Sequence, residues 1–315
     1  MITTETSLLC PRCFTPLSPR GICPICGKRP PRVSTPAGHL AQGTRLKERY
    51  VVSSAIGEGG FGITYLGYDA MKRRKVAIKE YFPSSVVMRD GCSAVVRSEN
   101  MRSRFSAGKK RFTDEAKNMA AIKDLDGVPS VLDYFSENGT AYIVMEYLGG
   151  ETLKNRISGK GKMREEEALR VLRPVFVSLA LIHDAGLIHR DVSADNIILT
   201  DDGSAKLIDF GASVSTSAKR QNIELKRRYA PPEQYEKNAV TDRRVDVYAA
   251  GATLYYCLTG SLPPESTERL RQDKLSFPAK MSPNMKTVLT KALALDRNDR
   301  YPDMRDLLRD IEKSR

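Results

Sequence analysis

His189-Arg190-Asp191-Val192-Ser193-Ala194-Asp195-Asn196, the apolar run Ile197-Ile198-Leu199, a turn, and Leu207-Ile208-Asp209-Phe210-Gly211 form the stretch that decides the fold. Three of its side chains suit phosphoryl transfer. Asp191 can accept the proton of an attacking hydroxyl. Asn196 and Asp209 are oxygen donors of the kind magnesium takes beside phosphate. Asp201-Asp202-Gly203 between apolar runs signals a tight hairpin turn. That turn would return Asp209 to the loop that carries Asp191 and Asn196.

His-Arg-Asp-x-x-x-x-Asn at 189–196, followed by Asp-Phe-Gly at 209–211, resembles the catalytic core of the eukaryotic-type (Hanks-type) protein kinases. Upstream segments extend the resemblance. Ile56-Gly57-Glu58-Gly59-Gly60-Phe61-Gly62-Ile63-Thr64 is a Gly-rich string, weak alone because dinucleotide-binding folds carry it too. There it would open a helix. Here β-branched and aromatic residues follow, so a strand–turn–strand is expected, with backbone amides able to approach phosphates. Val76-Ala77-Ile78-Lys79 matches the kinase strand whose Lys holds the α- and β-phosphates. Lys79-Glu80-Tyr81-Phe82-Pro83 resembles a subgroup of bacterial kinases.

The remaining assignments are what the resemblance implies. Glu115, on a helix expected over Phe112–Leu125 by its apolar stripe, becomes the ion-pair partner of Lys79. Met145-Glu146-Tyr147-Leu148 looks like the hinge. Glu146 and Leu148 would bind adenine through backbone groups, and Met145 would guard the back of the site. The ATP-binding set is Ile56, Gly57, Glu58, Gly59, Gly60, Phe61, Gly62, Thr64, Ala77, Lys79, Met145, Glu146, Leu148 and Ile198. Thr64 stands where kinases usually carry Val. Asn196 and Asp209 would hold Mg2+ or Mn2+. Tyr229-Ala230-Pro231-Pro232-Glu233 resembles the Ala-Pro-Glu closure with Pro in place of Ala. By analogy Glu233 pairs with Arg300, and Asp246 anchors the catalytic loop. His183 reads as a packing or capping residue. Residues 212–228 are expected to form an activation segment, with Ser213, Ser215, Thr216 and Ser217 as candidate phosphosites and Arg190 as the partner for a phosphate there.

Two departures stand out. Serine/threonine kinases usually carry Lys two residues after the catalytic Asp, where this chain has Ser193. They carry Thr where this chain has Lys226. The paired exchange suggests that Lys226 supplies the ammonium that position 193 lacks, since a flexible lysine can reach from a neighbouring loop. Asp191, Lys79, Glu115, Ser193 and Lys226 are therefore the candidate catalytic residues.

The N-terminus carries a different signal. Cys10-x-x-Cys13, nine residues, then Cys23-x-x-Cys26 can place four thiolates around one tetrahedral zinc ion. The segment has too few apolar residues to fold alone, so metal would supply its stability, on the order of 10–16 kcal/mol for such sites. It resembles the small zinc ribbons found at the ends of many microbial proteins. A redox pair and an iron–sulfur site are the rival readings. A closed four-Cys site leaves no open position for catalysis, so its role would be structural or partner-binding. Cys92 and Cys257 read as single thiols.

The chain has 315 residues and a net charge of +13, with +6 of it in residues 1–49. That balance favours acidic partners. Phe14 is the only aromatic residue of the ribbon, so base stacking is not supported and nucleic acid is not expected as a partner. No run approaches the roughly 18 apolar residues of a membrane span, and no signal-peptide pattern is seen. A cytoplasmic protein is expected.

The expected architecture is α+β: a zinc ribbon at 1–30, a basic linker at 31–49, with His39 solvated, and a two-lobed kinase domain at 50–312. Its small, mainly β lobe would span about 50–146 and its larger, mainly α lobe about 147–312. Residues 84–108 read as an extra hairpin or a loop. The expected function is ATP- and magnesium-dependent phosphorylation of protein Ser/Thr hydroxyls, including autophosphorylation. A catalytically weak or dead kinase-fold scaffold, with the ribbon recruiting a protein partner, and a small-molecule kinase are the alternatives.

Overall fold

The computed structural model describes residues 9–11, 13–29, 35–122, 125–209, 214–215, 225–236 and 242–313. They divide into two units. The first takes residues up to Lys117 together with Ser130–Tyr147, and the second takes Asn118–Pro129 and the chain from Leu148 onward.

The first unit contains, in chain order, β1 (Arg45–Leu46), β2 (Tyr50–Gly59), β3 (Gly62–Asp69), β4 (Arg74–Tyr81), β5 (Val87–Asp90), β6 (Ser93–Val96), most of α1 (Arg102–Ala121), β7 (Val131–Glu137) and β8 (Thr140–Glu146). Six strands make one antiparallel sheet in the order β1-β2-β3-β4-β8-β7, and β5 and β6 form a separate hairpin. Asn138 and Gly139 turn β7 into β8 with φ of 51° and 76°. Two consecutive left-handed residues are what a tight turn matched to strand twist requires.

Period-two alternation assigns the faces of β4. Val76, Ile78 and Glu80 point one way, and Ala77, Lys79 and Tyr81 point the other. All six are buried, so both faces are covered. Tyr81 meets Phe105 and Phe112 of α1. α1 therefore lies over the Lys79 face and begins ten residues earlier than the apolar stripe suggested. The Ser/Arg-rich surface of its first turns hides Phe105, the residue that extends the stripe. The stretch at 84–108 resolves into the β5–β6 hairpin and the start of this helix.

The ribbon is part of the first unit. Leu9 bridges Pro16, and amide bonds from Phe14 to the Cys10 carbonyl (2.8 Å) and from Gly27 to the Cys23 carbonyl (2.9 Å) close the two knuckles. Phe14 stacks on Tyr68 of β3, centroids 5.1 Å apart and rings 12° from parallel. Ser53 Oγ of β2 donates to the Pro11 carbonyl at 2.8 Å. The ribbon thus docks on the β2–β3 hairpin. The expected linker is also shorter than 31–49. Leu40 and Leu46 are core residues, the Leu40 amide donates to Tyr65 Oη, and β1 pairs with β2. His39 is not a solvated linker residue. Its Nε2 lies 3.1 Å from Glu58 Oε2, and its ring meets Tyr65 edge-on.

The second unit holds β9 (Gly150–Thr152), α2 (Leu153–Lys160), α3 (Glu165–Asp184), β10 (Leu187–Ile188), β11 (Ile197–Thr200), β12 (Ala205–Leu207), β13 (Val214–Ser215), α4 (Arg244–Thr259), α5 (Ser266–Arg269), α6 (Pro283–Ala292) and α7 (Met304–Glu312). Glu165, Glu166 and Glu167 occupy the first turn of α3, where the helix dipole favours negative charge. Helix α4 is buried along nearly all its length, as a helix apolar on every side must be. The β11–β12 hairpin pairs Ile197 with Leu207 and Leu199 with Ala205, and β9 adds to its other edge. Among the described residues no helix is long and apolar enough to cross a membrane.

Candidate active site

In the second unit the catalytic-loop motif is organised from below by α4. Asp246, in its first turn and fully buried, accepts three bonds of 2.8 Å each, from His183 Nε2, the His189 amide and the Arg190 amide. Burial works against this carboxylate, but the bonds from His183 and the amides outweigh it and hold its pKa below the usual range. His183, expected as a packing or capping residue, is thus a buried partner of Asp246. His189 is fully buried as well, and burial pushes its pKa down, which favours the neutral imidazole. Its Nδ1 accepts from the Asp191 amide at 3.2 Å.

That scaffold presents Asp191. Asn196 Nδ2 donates to the Asp191 carbonyl at 2.9 Å and to its carboxylate Oδ2 at 2.8 Å. With its NH2 so engaged, the amide of Asn196 is oriented to leave Oδ1 as an acceptor for a cation. The Ile208 amide donates to the Asn196 carbonyl at 2.7 Å, which sets Asp209 one residue from the Asn196 backbone. Carboxylate and amide oxygens, as these two residues carry, are donor types that suit a hard divalent cation such as Mg2+ or Mn2+. Arg190 and Asp209 have φ of 68° and 67°, a conformation non-glycine residues seldom adopt and one that clusters at functional sites.

Lys226 and Ser193 are brought together. Lys226 Nζ donates to Ser193 Oγ at 2.9 Å and lies 3.2 Å from Asp191 Oδ1. Burial pushes the Asp191 carboxyl up, and the charge of Lys226 and the bonds from Lys226 and Asn196 work against that rise. Ser193 has no exposed surface, so a lysine at that position would need a different path out of the loop. Tyr229, which opens the closing segment, reaches the catalytic loop: its Oη accepts from the Ala194 amide at 3.4 Å. The motif marked Tyr229 as part of the closure but carried no sign of this contact. Glu233 accepts two bonds from the buried Arg300, at 2.5 and 2.8 Å. Leu148 also belongs to this unit, and Ile198 lies on β11 opposite Thr152 and Lys206. Phe210, Gly211, Ser213, Thr216 and Ser217 lie outside the described residues, and of Ser215 only the strand is described.

In the first unit Thr64, Ala77, Lys79 and Met145 share one sheet face. Thr64 is the register partner of Lys79, and Ala77 that of Met145. Lys79 is only 9% exposed, so its side chain is largely covered. Glu115 is half-buried on α1, three residues after Phe112 and so on the same side of the helix. Ile56, Gly57, Glu58 and Gly59 end β2, Gly60 and Phe61 make the turn, and Gly62 opens β3. Ile56 and Phe61 are exposed large apolar residues of that hairpin. Glu146 closes β8, where its carboxylate accepts from the Ser130 amide at 3.3 Å.

Sequence reasoning missed Glu80. Alternation from Val76 and Ile78 already requires it to face inward. Its carboxylate, with no exposed surface, accepts from Arg89 at 2.8 and 2.6 Å and from Tyr65 and Tyr142 Oη at 3.1 Å each. Arg89 also donates to the Gly38 carbonyl, tying the β5–β6 hairpin to the segment that follows the ribbon.

The four ribbon cysteines cluster with all sulfurs within 4.8 Å of one another, and none forms a disulfide. Separations of 3.3, 3.6 and 3.9 Å bracket the edge of about 3.8 Å expected for a tetrahedron with Zn–S near 2.3 Å. Contacts from Thr15 lower the Cys13 thiol to about 6, whereas contact with Cys13 pushes Cys26 up to about 12. Four cysteine sulfurs at this spacing can take a cation as their protons leave. The cluster is therefore compatible with metal binding.

Residues 50–310 match the model of the protein kinase domain. Similar proteins include the probable serine/threonine-protein kinase CPE1738 of Clostridium perfringens, 30% identical over 86% of this chain and 39% of that protein. PknL of Mycobacterium tuberculosis is 33% identical over 69% of this chain and 51% of that protein. PrkC of Bacillus subtilis is 28% identical over 86% and 41%. Among solved structures, the apo form of PpkA-294 is similar with a TM-score of 0.74 at 34% identity, covering 87% of this chain and 99% of that one. This chain spans about half or less of the length of these curated relatives.

Proposed function

Since the chain belongs to the protein kinase family, we propose that it transfers the γ-phosphoryl group of ATP to serine and threonine hydroxyls of proteins, itself included. The observation that carries this reading is Asp191, a carboxylate held 2.8 Å from Asn196 and 3.2 Å from Lys226. A bond forms between the acceptor oxygen and the γ-phosphorus while the bond from that phosphorus to the β–γ bridging oxygen breaks. ADP leaves with the electron pair, and the acceptor's proton passes to Asp191. Magnesium, when bound, neutralises charge on the β- and γ-oxygens. Asn196 and Asp209 hold it. Lys79 holds the α- and β-phosphates and Glu115 orients Lys79. The Gly-rich hairpin from Ile56 to Thr64, with Ala77, Met145, Glu146, Leu148 and Ile198, binds the nucleotide.

Lys226 supplies a positive charge beside the transferring group from the segment before Tyr229, with Ser193 as its hydrogen-bonded seat. Such placement is worth most where charge develops. Cys10, Cys13, Cys23 and Cys26 hold a structural zinc ion, and the ribbon is the site offered to a protein partner. Six unpaired cysteines fit a reducing, cytoplasmic compartment.

The test is transfer of labelled γ-phosphate to the protein itself and to a generic basic protein, beside Asp191→Asn. Label on Ser/Thr that disappears in the variant supports the reading. Nucleotide binding without any label sinks it in favour of a scaffold. Label found only on small hydroxylated compounds sinks it in favour of a small-molecule kinase.

A further inference from the structure

The string Lys79-Glu80-Tyr81-Phe82-Pro83 enters the proposed reaction only at Lys79. Tyr81 lies two residues further along β4 on the same face, and is 8% exposed. Its ring occupies a cleft on α1. It stacks on Phe105 at 5.4 Å and 26° and packs on Phe112 at 5.6 Å. The floor between those rings is Gly108, where an added Cβ would fall 1.9 Å from Tyr81 Oη and 2.7 Å from Cζ. Positions 105, 108 and 112 follow the three-and-four spacing of one helix face. Glycine inside a helix is disfavoured, so helix propensity is given up here to seat the tyrosine.

The strand side of the contact is fixed. Thr140 Oγ1 donates to the Tyr81 carbonyl, and on the opposite face the Glu80 carboxylate is held by Arg89, Tyr65 and Tyr142. The strand cannot roll to follow a displaced helix. Glu115 stands about 4.5 Å along α1 from Phe112, and Lys79 stands about 6.6 Å along β4 from Tyr81. Both functional side chains are therefore referenced to one ring.

We infer that Tyr81 is a positioning residue for Lys79 and Glu115: its seating between Phe105, Gly108 and Phe112 sets where α1 lies on β4. The inference rests on reading Lys79 and Glu115 as the phosphate-positioning pair. Tyr81→Leu removes the wedge. Gly108→Ala fills the cleft from the helix side while improving helix propensity. Both should lower kcat by about ten- to hundred-fold, as small misplacements of reacting groups do, with the acceptor KM unchanged. ATP affinity, read by direct binding, should weaken in both. Tyr81→Phe keeps the ring and should behave as wild type. Val144→Ala, a buried truncation on the opposite face, should lose stability without losing kcat.

Lys79→Met and Glu115→Gln are measured alongside. If those two leave kcat intact, the pair itself is misread. If they abolish turnover while Tyr81→Leu and Gly108→Ala match Val144→Ala in kcat and ATP affinity, the positioning role of Tyr81 is overturned.

Discussion

Removing the Arg89 guanidinium is the sharpest test of how the first unit is held together. The Arg89 side chain is 8% exposed and that of Glu80 is fully buried. Arg89→Ala leaves the carboxylate with only the two tyrosine hydroxyls at 3.1 Å. A surface ion pair would cost about 0–1 kcal/mol to break. An uncompensated buried charge costs about 3–5 kcal/mol, a large part of the roughly 5–15 kcal/mol that separates folded from unfolded protein. The guanidinium also lies 4.2 Å from the Phe82 ring centroid and donates to the Gly38 and Cys92 carbonyls, so the higher end of that range is expected. The chain has no Trp, so urea unfolding is followed by far-UV circular dichroism. Adding Glu80→Gln to Arg89→Ala should recover part of the loss, because the stranded charge is gone. A loss under about 1 kcal/mol for Arg89→Ala would place the pair in the surface class and refute the argument, as would a double variant no more stable than the single one.

Metal analysis should find one zinc per chain, and Cys13→Ser or Cys26→Ser should lose it while residues 50–310 keep their circular dichroism. Because thiols must shed protons to bind, zinc affinity should fall as pH falls, and a zinc affinity unchanged at low pH would count against a thiolate site. Asp69 offers a pH prediction. Bonds from the Arg49 guanidinium at 2.8 and 2.6 Å, the largest influence, hold its carboxyl below the usual range despite burial. A depressed folded pKa contributes stability above the unfolded value of about 3.9, lost as pH falls through the folded value. Asp69→Asn should therefore be less stable than wild type at pH 7, with the gap closing below about pH 4. A gap that does not narrow at all as pH falls below about 4 would mean that the effect is packing rather than charge.

The catalytic loop was readable because its chemistry is written in consecutive residues. Asp191, Asn196 and Asp209 sit on one loop and one hairpin, so local turn signals place them without knowledge of the rest of the chain. Asp246 and His183 were harder. Their bond spans two helices, and only the resemblance to kinases singled out Asp246, while a buried His at a helix end looks like packing. Lys226 and Ser193 were paired from two departures in a known pattern, and the 2.9 Å contact between them follows that pairing. The reach of the ribbon was not readable at all. Phe14 is a single aromatic among cysteines, and nothing near it says that its ring will find Tyr68, fifty-four residues on.

Glu80 and Arg89 show where pattern reading stops and where it could have gone further. The alternation Val76, Ile78, Glu80 was visible, and a strand buried on both faces must take its third member inward as well. A carboxylate forced inside needs a cation, and the Ser/Arg-rich stretch that follows the strand, 84–108, reads as a hairpin or a loop. Joining those two facts predicts a hairpin that delivers an arginine to the back of β4. The same alternation sends Tyr81 to the Lys79 face, where a gap in α1 is needed to receive it, and Gly108 is the glycine in the middle of that helix. A strand that places one side chain for chemistry must fix its neighbours on both faces. In this chain the residues that follow Lys79 carry the information about what surrounds it.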